Sequence, residues 1–188
     1  ELKIKKTKRP FKKESKDLIS INVETEHIQG SIDSPISLIE YGDYECPYTG
    51  MAYPIVKEIM KRFKNKIYFV FRNFPLNDIH PHAQHAAEAA EAAAAQNKFW
   101  QMHDYLFEHQ KALDDGHLLQ YAKKTRLDLN KFKKEMTGHV YAPLIEKSLK
   151  IGIDHGVEGT PTFLVNSKRY EGSWDLETFS DFLNTMNS

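Results

Sequence analysis

The chain has 188 residues, of which 40% are hydrophobic and 28% are charged. This composition is typical of a folded globular chain of one domain, or of one domain with an insertion, and it is unlike that of disordered or membrane chains. Because 26 basic residues balance 26 acidic ones, no overall charge favours a nucleic-acid partner. No stretch approaches the roughly 20 apolar residues of a membrane span. The single cysteine excludes an intramolecular disulfide and a cysteine-rich zinc site.

The start of the chain is strongly basic. Between Lys3 and Lys16 it carries eight Lys or Arg against one acid, Glu14, so we interpret residues 1–20 as a flexible tail. The alternative is a polybasic arm that contacts acidic partners or anionic membranes. No apolar segment follows as a secretory signal would require, so we expect a cytoplasmic location. A periplasmic or other extracytoplasmic location is the alternative if a signal before Glu1 was removed.

The first half of the remaining chain predicts a strand, a strand, a helix and a strand. Residues 26–31 resemble an edge strand, and residues 36–41 a buried one. Apolar residues at helical spacing then predict a helix over 47–62. A β-branched and aromatic run over 67–71 predicts the next strand. Two strands joined by a helix imply a parallel pair with a right-handed crossover.

The second half is helical before strands return. Strand patterns reappear at 162–165 and 168–170 as a hairpin, and an amphipathic helix over about 176–183 closes the chain. The order is therefore βαβ, helices, ββα, which predicts an α/β thioredoxin fold interrupted by a helical subdomain. We expect residues 21–75 and 157–188 to form the thioredoxin-fold domain and residues 76–156 the insertion. About five helices are predicted in that insertion, over 82–96, 98–111, 118–124, 129–136 and 143–153.

Cys46 is predicted to lie at the start of a helix, because Pro47 suits the first helical position. Free backbone N–H groups and the helix dipole stabilise a thiolate there, and cysteines so placed have pKa values lowered from about 8.5 to roughly 3.5–7.5. The alternative is a small buried hydrophobic residue. We favour a reactive cysteine, because the junction at the carboxyl end of a strand is usually open to ligands.

Five short motifs, in this order and spacing, resemble the DsbA-like thioredoxin-fold proteins. The resemblance covers about residues 28–183 and leaves out the basic tail. The motifs are Tyr-Gly-Asp-Tyr-Glu-Cys-Pro-Tyr-Thr at 41–49, Phe-Arg-Asn-Phe-Pro at 71–75, His-Pro-His-Ala at 80–83, Phe-Trp at 99–100 and Gly-Thr-Pro-Thr at 159–162.

The resemblance implies roles for residues around the cysteine. It implies that Pro161 is a cis-proline facing Cys46, and that the backbone of Thr160 pairs with a bound peptide. Pro47 and Tyr48, which follow the cysteine, would also contribute to substrate binding.

Thr49 departs from the family pattern, which usually has a second cysteine at this position. A mixed disulfide on Cys46 must therefore wait for an external thiol. Thr49 is near enough along the helix to donate a hydrogen bond to the thiolate, or else it serves only local helix bonding. Glu40 matches a buried acid that shuttles protons beneath the cysteine in the family; the alternative is an exposed strand residue.

These features predict a monothiol thiol-disulfide oxidoreductase. Cys46 would attack disulfides or glutathionylated thiols of proteins and peptides, with an external thiol such as glutathione as co-substrate and no bound cofactor. A variant is peroxide chemistry through a sulfenic acid. The rival is a redox-inactive peptide-binding module, and a weaker one is a dimer that shares an iron–sulfur cluster. The oligomeric state is left open.

Three histidines, His80, His82 and His85, fall within six residues and are potential metal ligands. The family resemblance explains the His-Pro-His stretch without a metal, so we predict no metal site.

Overall fold

The computed structural model describes residues 21–186, so the basic tail predicted for residues 1–20 lies outside the described part of the chain. A mixed five-stranded sheet forms its centre, with strand order β1-β3-β2-β4-β5. The central strands β2 and β3 are parallel, whereas β1, β4 and β5 pair antiparallel with their neighbours. The strands are β1 (His27–Gln29), β2 (Ile36–Gly42), β3 (Ile67–Asn73), β4 (Thr162–Val165) and β5 (Lys168–Arg169).

Helices connect and cover this sheet. The crossover between β2 and β3 is α1 (Pro47–Arg62), and α7 (Leu176–Thr185) closes the described chain. The predicted fold class, a thioredoxin fold with helices inserted after its βαβ half, is confirmed. The domain boundaries proposed from the sequence stay a prediction. Between β3 and β4 the structure places α2 (Ala83–Ala94), α3 (Phe99–Glu108), α4 (Asp115–Lys124), α5 (Leu129–Thr137) and α6 (Ala142–Asp154).

Strand β2 separates two hydrophobic clusters, and every one of its residues is buried. Ile36 and Leu38 join the larger cluster, with apolar residues of α1, α2 and α3. Ile39 and Tyr41 join the smaller cluster on the other face. Because side chains alternate along a strand, Glu40 lies on the same face as Leu38, beneath α1.

Gly42 ends β2 at a point of close approach. A Cβ atom there would lie 2.4 Å from the ring of Phe71 and 3.0 Å from the methyl carbon of Thr49. Glycine therefore lets the first turn of α1 pack directly on the end of β2, and this contact positions the loop that leads to Cys46.

Within residues 21–186, none of the helices has both the length and the apolar character needed to cross a membrane.

Candidate functional site

Cys46 is the N-cap residue of α1, with Pro47 at the first helical position, as predicted. Its backbone is extended (φ −67°, ψ 121°), and its carbonyl accepts the helical hydrogen bond from the Gly50 N–H at 3.0 Å. No side chain caps this end, and the first turn contains no acidic residue. The free backbone N–H groups at the start of the helix are therefore available to the Cys46 side chain, because no carboxylate in the first turn competes for them.

Cys46 is only 3% exposed. Its thiol donates a hydrogen bond to the Thr160 carbonyl at 3.3 Å, and the peptide bond between Thr160 and Pro161 is cis. The expectation of an open cysteine is wrong in this respect, because the backbone at Thr160 lies against the sulfur. Pro47 and Tyr48, which follow the cysteine, are exposed, and 63% of Tyr48 is accessible.

Thr49 is fully buried. Its hydroxyl accepts a hydrogen bond from the backbone N–H of Asp43 at 3.5 Å. In the described part of the chain no hydrogen bond joins Thr49 to the Cys46 sulfur, and Thr49 instead ties the helix to the preceding loop. Donation from Thr49 to a thiolate stays a prediction.

Asp43 organises the loop before the cysteine, although the sequence did not single it out. Its buried carboxylate accepts hydrogen bonds from the backbone N–H groups of Glu45 (2.8 Å) and Leu76 (2.9 Å). It also contacts His80 Nδ1 at 2.7 Å. The Asp43 carbonyl accepts from the Cys46 N–H at 3.2 Å. An Asp side chain that accepts a hydrogen bond from the backbone N–H two residues later is typical of a turn. This preference of Asp for turns is the signal that could have identified Asp43 from the sequence.

Gln110 holds the same loop from the helical insertion. Its Nε2 donates to the carbonyl oxygens of Tyr44 (2.8 Å) and Cys46 (3.0 Å). A Cβ atom at Gly50 would collide with this amide, so Gly50 leaves room for Gln110 beside the helix start. Gln110 lies just beyond α3, and no sequence pattern indicated this contact.

Glu40 is buried beneath α1, with 2% of the residue exposed, so the alternative of an exposed strand residue is wrong. Burial raises the pKa of its carboxyl group to about 8. One carboxyl oxygen has no hydrogen-bond partner among the described residues. Glu40 lines a cavity of about 120 Å³, together with Lys57, His103 and Asp104. A carboxyl group with this pKa is largely protonated at pH 7.

A buried polar pair adjoins the cysteine loop. The hydroxyl of Tyr44 lies 3.1 Å from His103 Nδ1, and both residues pack with the rings of Phe71 and Phe107. Burial lowers the pKa of His103 to about 3 and raises that of Tyr44. Both groups are therefore neutral near pH 7. His103 was not identified from the sequence, where it lies among the aromatic residues of α3.

The three histidines near residue 80 (His80, His82 and His85) do not come together in one metal-binding cluster. His80 contacts Asp43, whereas His85 Nδ1 lies 2.8 Å from a carboxylate oxygen of Asp115. The backbone N–H of His82 donates to the side chain of Glu45 at 2.6 Å. Among residues 21–186 these three imidazoles do not form a set with ligand atoms close enough for one ion.

Known proteins resemble the chain in both sequence and fold. A family model described as thioredoxin matches residues 22–185. Oxidised BdbD from Bacillus subtilis superimposes with a TM-score of 0.78 at 24% identity, covering 88% of this chain and 94% of that one. The thiol-disulfide exchange protein alpha-DsbA2 from Wolbachia pipientis gives a TM-score of 0.75 at 21% identity, covering 86% of this chain and 87% of that one. The DsbA-like form of the fold is thus shown.

A curated relative with higher sequence identity is a much longer protein. The Na⁺/H⁺ antiporter NhaA 1 from Salinispora arenicola is 42% identical over 163 residues, which cover 87% of this chain but 25% of the antiporter. The chain therefore spans about a quarter of the length of the curated relatives it matches.

Proposed function

The chain belongs to the thioredoxin family, and we propose that it is a monothiol thiol-disulfide oxidoreductase with Cys46 as its nucleophile. The observation that carries the proposal is the placement of this one sulfur. Cys46 is the N-cap residue of α1, and its sulfur lies 3.3 Å from the carbonyl oxygen of Thr160, next to cis-Pro161. Backbone N–H groups at a helix start favour a thiolate, which is the form that attacks disulfides.

The reaction would proceed in two balanced exchanges. The Cys46 thiolate attacks one sulfur of a substrate disulfide, forms a mixed disulfide and releases the other sulfur as a thiolate. A second thiolate, from glutathione or a similar small thiol, then attacks the mixed disulfide. This step regenerates the Cys46 thiolate and forms a new disulfide between the other two sulfur atoms. Because Thr49 occupies the position of a second cysteine, the external thiol is obligatory.

Glutathionylated peptides are the substrate class that suits this scheme. Attack on their glutathione sulfur releases the peptide as a thiol, and a second glutathione removes the adduct as glutathione disulfide. Exposed Tyr48 and Met51 offer apolar surface beside the helix start for the peptide. The Thr160 backbone would pair with the bound peptide. The hydrogen bond from the Cys46 thiol to the Thr160 carbonyl must therefore break when the peptide binds.

Glu40 would accept the proton of the Cys46 thiol and return it. A carboxyl group with a pKa of about 8 both accepts and donates protons near neutral pH. Its position on β2 beneath α1, beside a cavity that also contacts Lys57 and Asp104, supports this role.

We propose a location with abundant small thiols, in keeping with a cytoplasmic protein.

The test is turnover of a glutathionylated peptide, followed by glutathione disulfide production. We expect Cys46→Ser to reduce the rate to the uncatalysed level, because the nucleophile is lost. The matched control is Ser180→Ala, at a buried hydroxyl of α7 that is not among the groups assigned to the site, and this variant should retain turnover. A Cys46→Ser protein that turns over like the parent would refute the proposal.

A second candidate, a redox-inactive peptide-binding module, is favoured by the near-complete burial of Cys46. It predicts that Cys46→Ala binds peptides as tightly as the parent and that neither protein catalyses exchange. The enzymatic proposal predicts exchange by the parent alone. Peptide binding and turnover measured on the same two proteins distinguish the candidates.

A further inference from the structure

A cluster of metal-ligating side chains lies on the helical insertion, among groups not assigned to the Cys46 site. It consists of His85 and Glu88 on α2 and His139 in the connection between α5 and α6. Each offers one ligand atom, and these atoms lie within 4.8 Å of one another. We propose that His85, Glu88 and His139 bind Zn²⁺. This departs from the expectation of no metal drawn from the sequence.

The spacing within the cluster suits zinc. His139 Nδ1 lies 3.2 Å from Glu88 Oε2, and two ligands at 2.0–2.1 Å from a tetrahedral zinc ion lie roughly 3.3 Å apart. His85 precedes Glu88 by three residues on α2, so the two side chains share one face of the helix. A small inward movement of the His85 ring completes a set of two imidazoles and one carboxylate, which is a donor set that zinc accepts.

Neighbouring groups orient two of these ligands. A carboxylate oxygen of Asp115 lies 2.8 Å from His85 Nδ1. Since an ionised carboxylate only accepts hydrogen bonds, neutral His85 keeps its proton on Nδ1 and presents Nε2 to the metal. Gln84 Nε2 donates to Glu88 Oε1 at 3.1 Å, and a metal ion would replace the contact between Glu88 Oε2 and His139 Nδ1. A carboxylate behind a ligating histidine is a common arrangement at zinc sites.

Burial and access also fit an ion. Only 1% of Glu88 is exposed, and a buried carboxylate is costly unless a positive charge or hydrogen bonds offset it. A cavity of about 390 Å³, lined by His85, Asp115 and His139, opens beside the cluster. Bound zinc would neutralise Glu88, and the cavity would admit water as a fourth ligand. The ion would also join α2 to the connection between α5 and α6.

The experiment is titration of the full chain with Zn²⁺ by calorimetry, with thermal unfolding recorded in parallel and the Co²⁺ absorbance spectrum as a probe of geometry. The parent should bind one Zn²⁺ and unfold at a higher temperature when zinc is present. Co²⁺ should give the visible absorption of a tetrahedral site. His85→Ala and His139→Ala should bind more than about 100-fold more weakly, and Asp115→Ala about 10- to 100-fold.

Two controls isolate the cluster. His117→Ala removes a partly exposed histidine that, like His85, pairs with an aspartate, and it should bind Zn²⁺ like the parent. Cys46→Ser should also bind like the parent, which separates this site from the thiol and from the proposed exchange reaction. Both cluster histidines are partly exposed, so their removal should leave the fold intact. The proposal is overturned if the parent does not bind Zn²⁺, or if both histidine variants bind it as tightly as the parent.

Discussion

At the residue scale, burial decides the protonation of the groups around the site. The carboxyl group of Glu40 lies beneath α1, where one of its oxygens has no hydrogen-bond partner within residues 21–186, and burial raises its pKa to about 8. The imidazole of His103 is enclosed by aromatic rings, and burial lowers its pKa to about 3. Glu40 was identifiable from the sequence through the family resemblance, because its position, six residues before the cysteine, matches that of a buried acid in the family. His103 was not, since a helix of aromatic residues gives no sign of which polar neighbour is enclosed.

Glu40 should make the stability of the fold depend on pH. Its folded-state pKa is above the ordinary value of 4.5, so the folded state binds this proton more tightly than the unfolded state. The contribution is therefore fully present below about pH 4.5 and is lost as pH rises towards 8. Glu40→Gln removes this loss, and we expect it to exceed the parent in stability by up to about 5 kcal/mol at pH 9. Urea unfolding from pH 5 to 9 measures the difference, and a difference that does not grow with pH would contradict this account.

Thr49 should determine how the mixed disulfide is resolved. In Thr49→Cys a second sulfur lies three residues along α1 from Cys46, so the adduct should resolve within the chain and leave an intramolecular disulfide. The parent should keep the adduct until glutathione is added. Thr49→Ser, which retains a hydroxyl, is the matched control and should behave like the parent. Intact-mass measurement follows both forms, and spontaneous loss of the adduct from the parent would argue against an obligatory external thiol.

At the element scale, the start of α1 is held by groups from three parts of the chain. Asp43 belongs to the loop after β2, Gln110 follows α3, and Thr160 precedes β4. Each bonds the backbone or the sulfur of Cys46. The helix start itself was predictable from Cys46-Pro47, because it depends on local sequence. The contact with Gln110 was not, since it joins residues 64 apart and depends on how the insertion packs.

Gln110→Ala should loosen this helix start. Two carbonyl oxygens lose their donor, which we expect to cost about 1–2 kcal/mol of stability. The rate of Cys46 alkylation in the folded protein should rise, because local opening exposes the sulfur more often. Gln120→Ala, at an exposed position of α4, is the control and should change neither property. Unchanged alkylation in Gln110→Ala would show that this amide does not restrain the helix start.

Most residues of helix α2 are alanines, and most of these alanines are buried. Their small side chains let the helix pack closely against its neighbours. Ala89→Leu should therefore overpack the core and destabilise the fold by about 1–3 kcal/mol. Ala95→Leu, at the exposed C-cap residue of the same helix, should have little effect. Denaturant unfolding compares them, and equal stabilities would mean that the alanines are not needed for close packing.

At the scale of the whole molecule, the order of elements was predictable because the apolar residues of each strand and helix recur at the spacing typical of that element. The order from β2 through α7 followed from such local patterns, and together they specified the thioredoxin fold. Burial of Cys46 was not predictable, because it depends on the Thr160 carbonyl, 114 residues away. The cluster of His85, Glu88 and His139 was missed for the same reason, since packing of the insertion brings His139 to α2.

The central claim is that folding makes Cys46 an exchange nucleophile, and its most direct measurement is the rate at which the folded chain takes glutathione from a glutathionylated peptide. We predict a single adduct on Cys46, formed faster by the folded chain than by the same chain unfolded in urea, and removed when glutathione is added. No adduct on the folded chain, together with normal reaction of the unfolded chain, would contradict the account and show that burial seals the thiol.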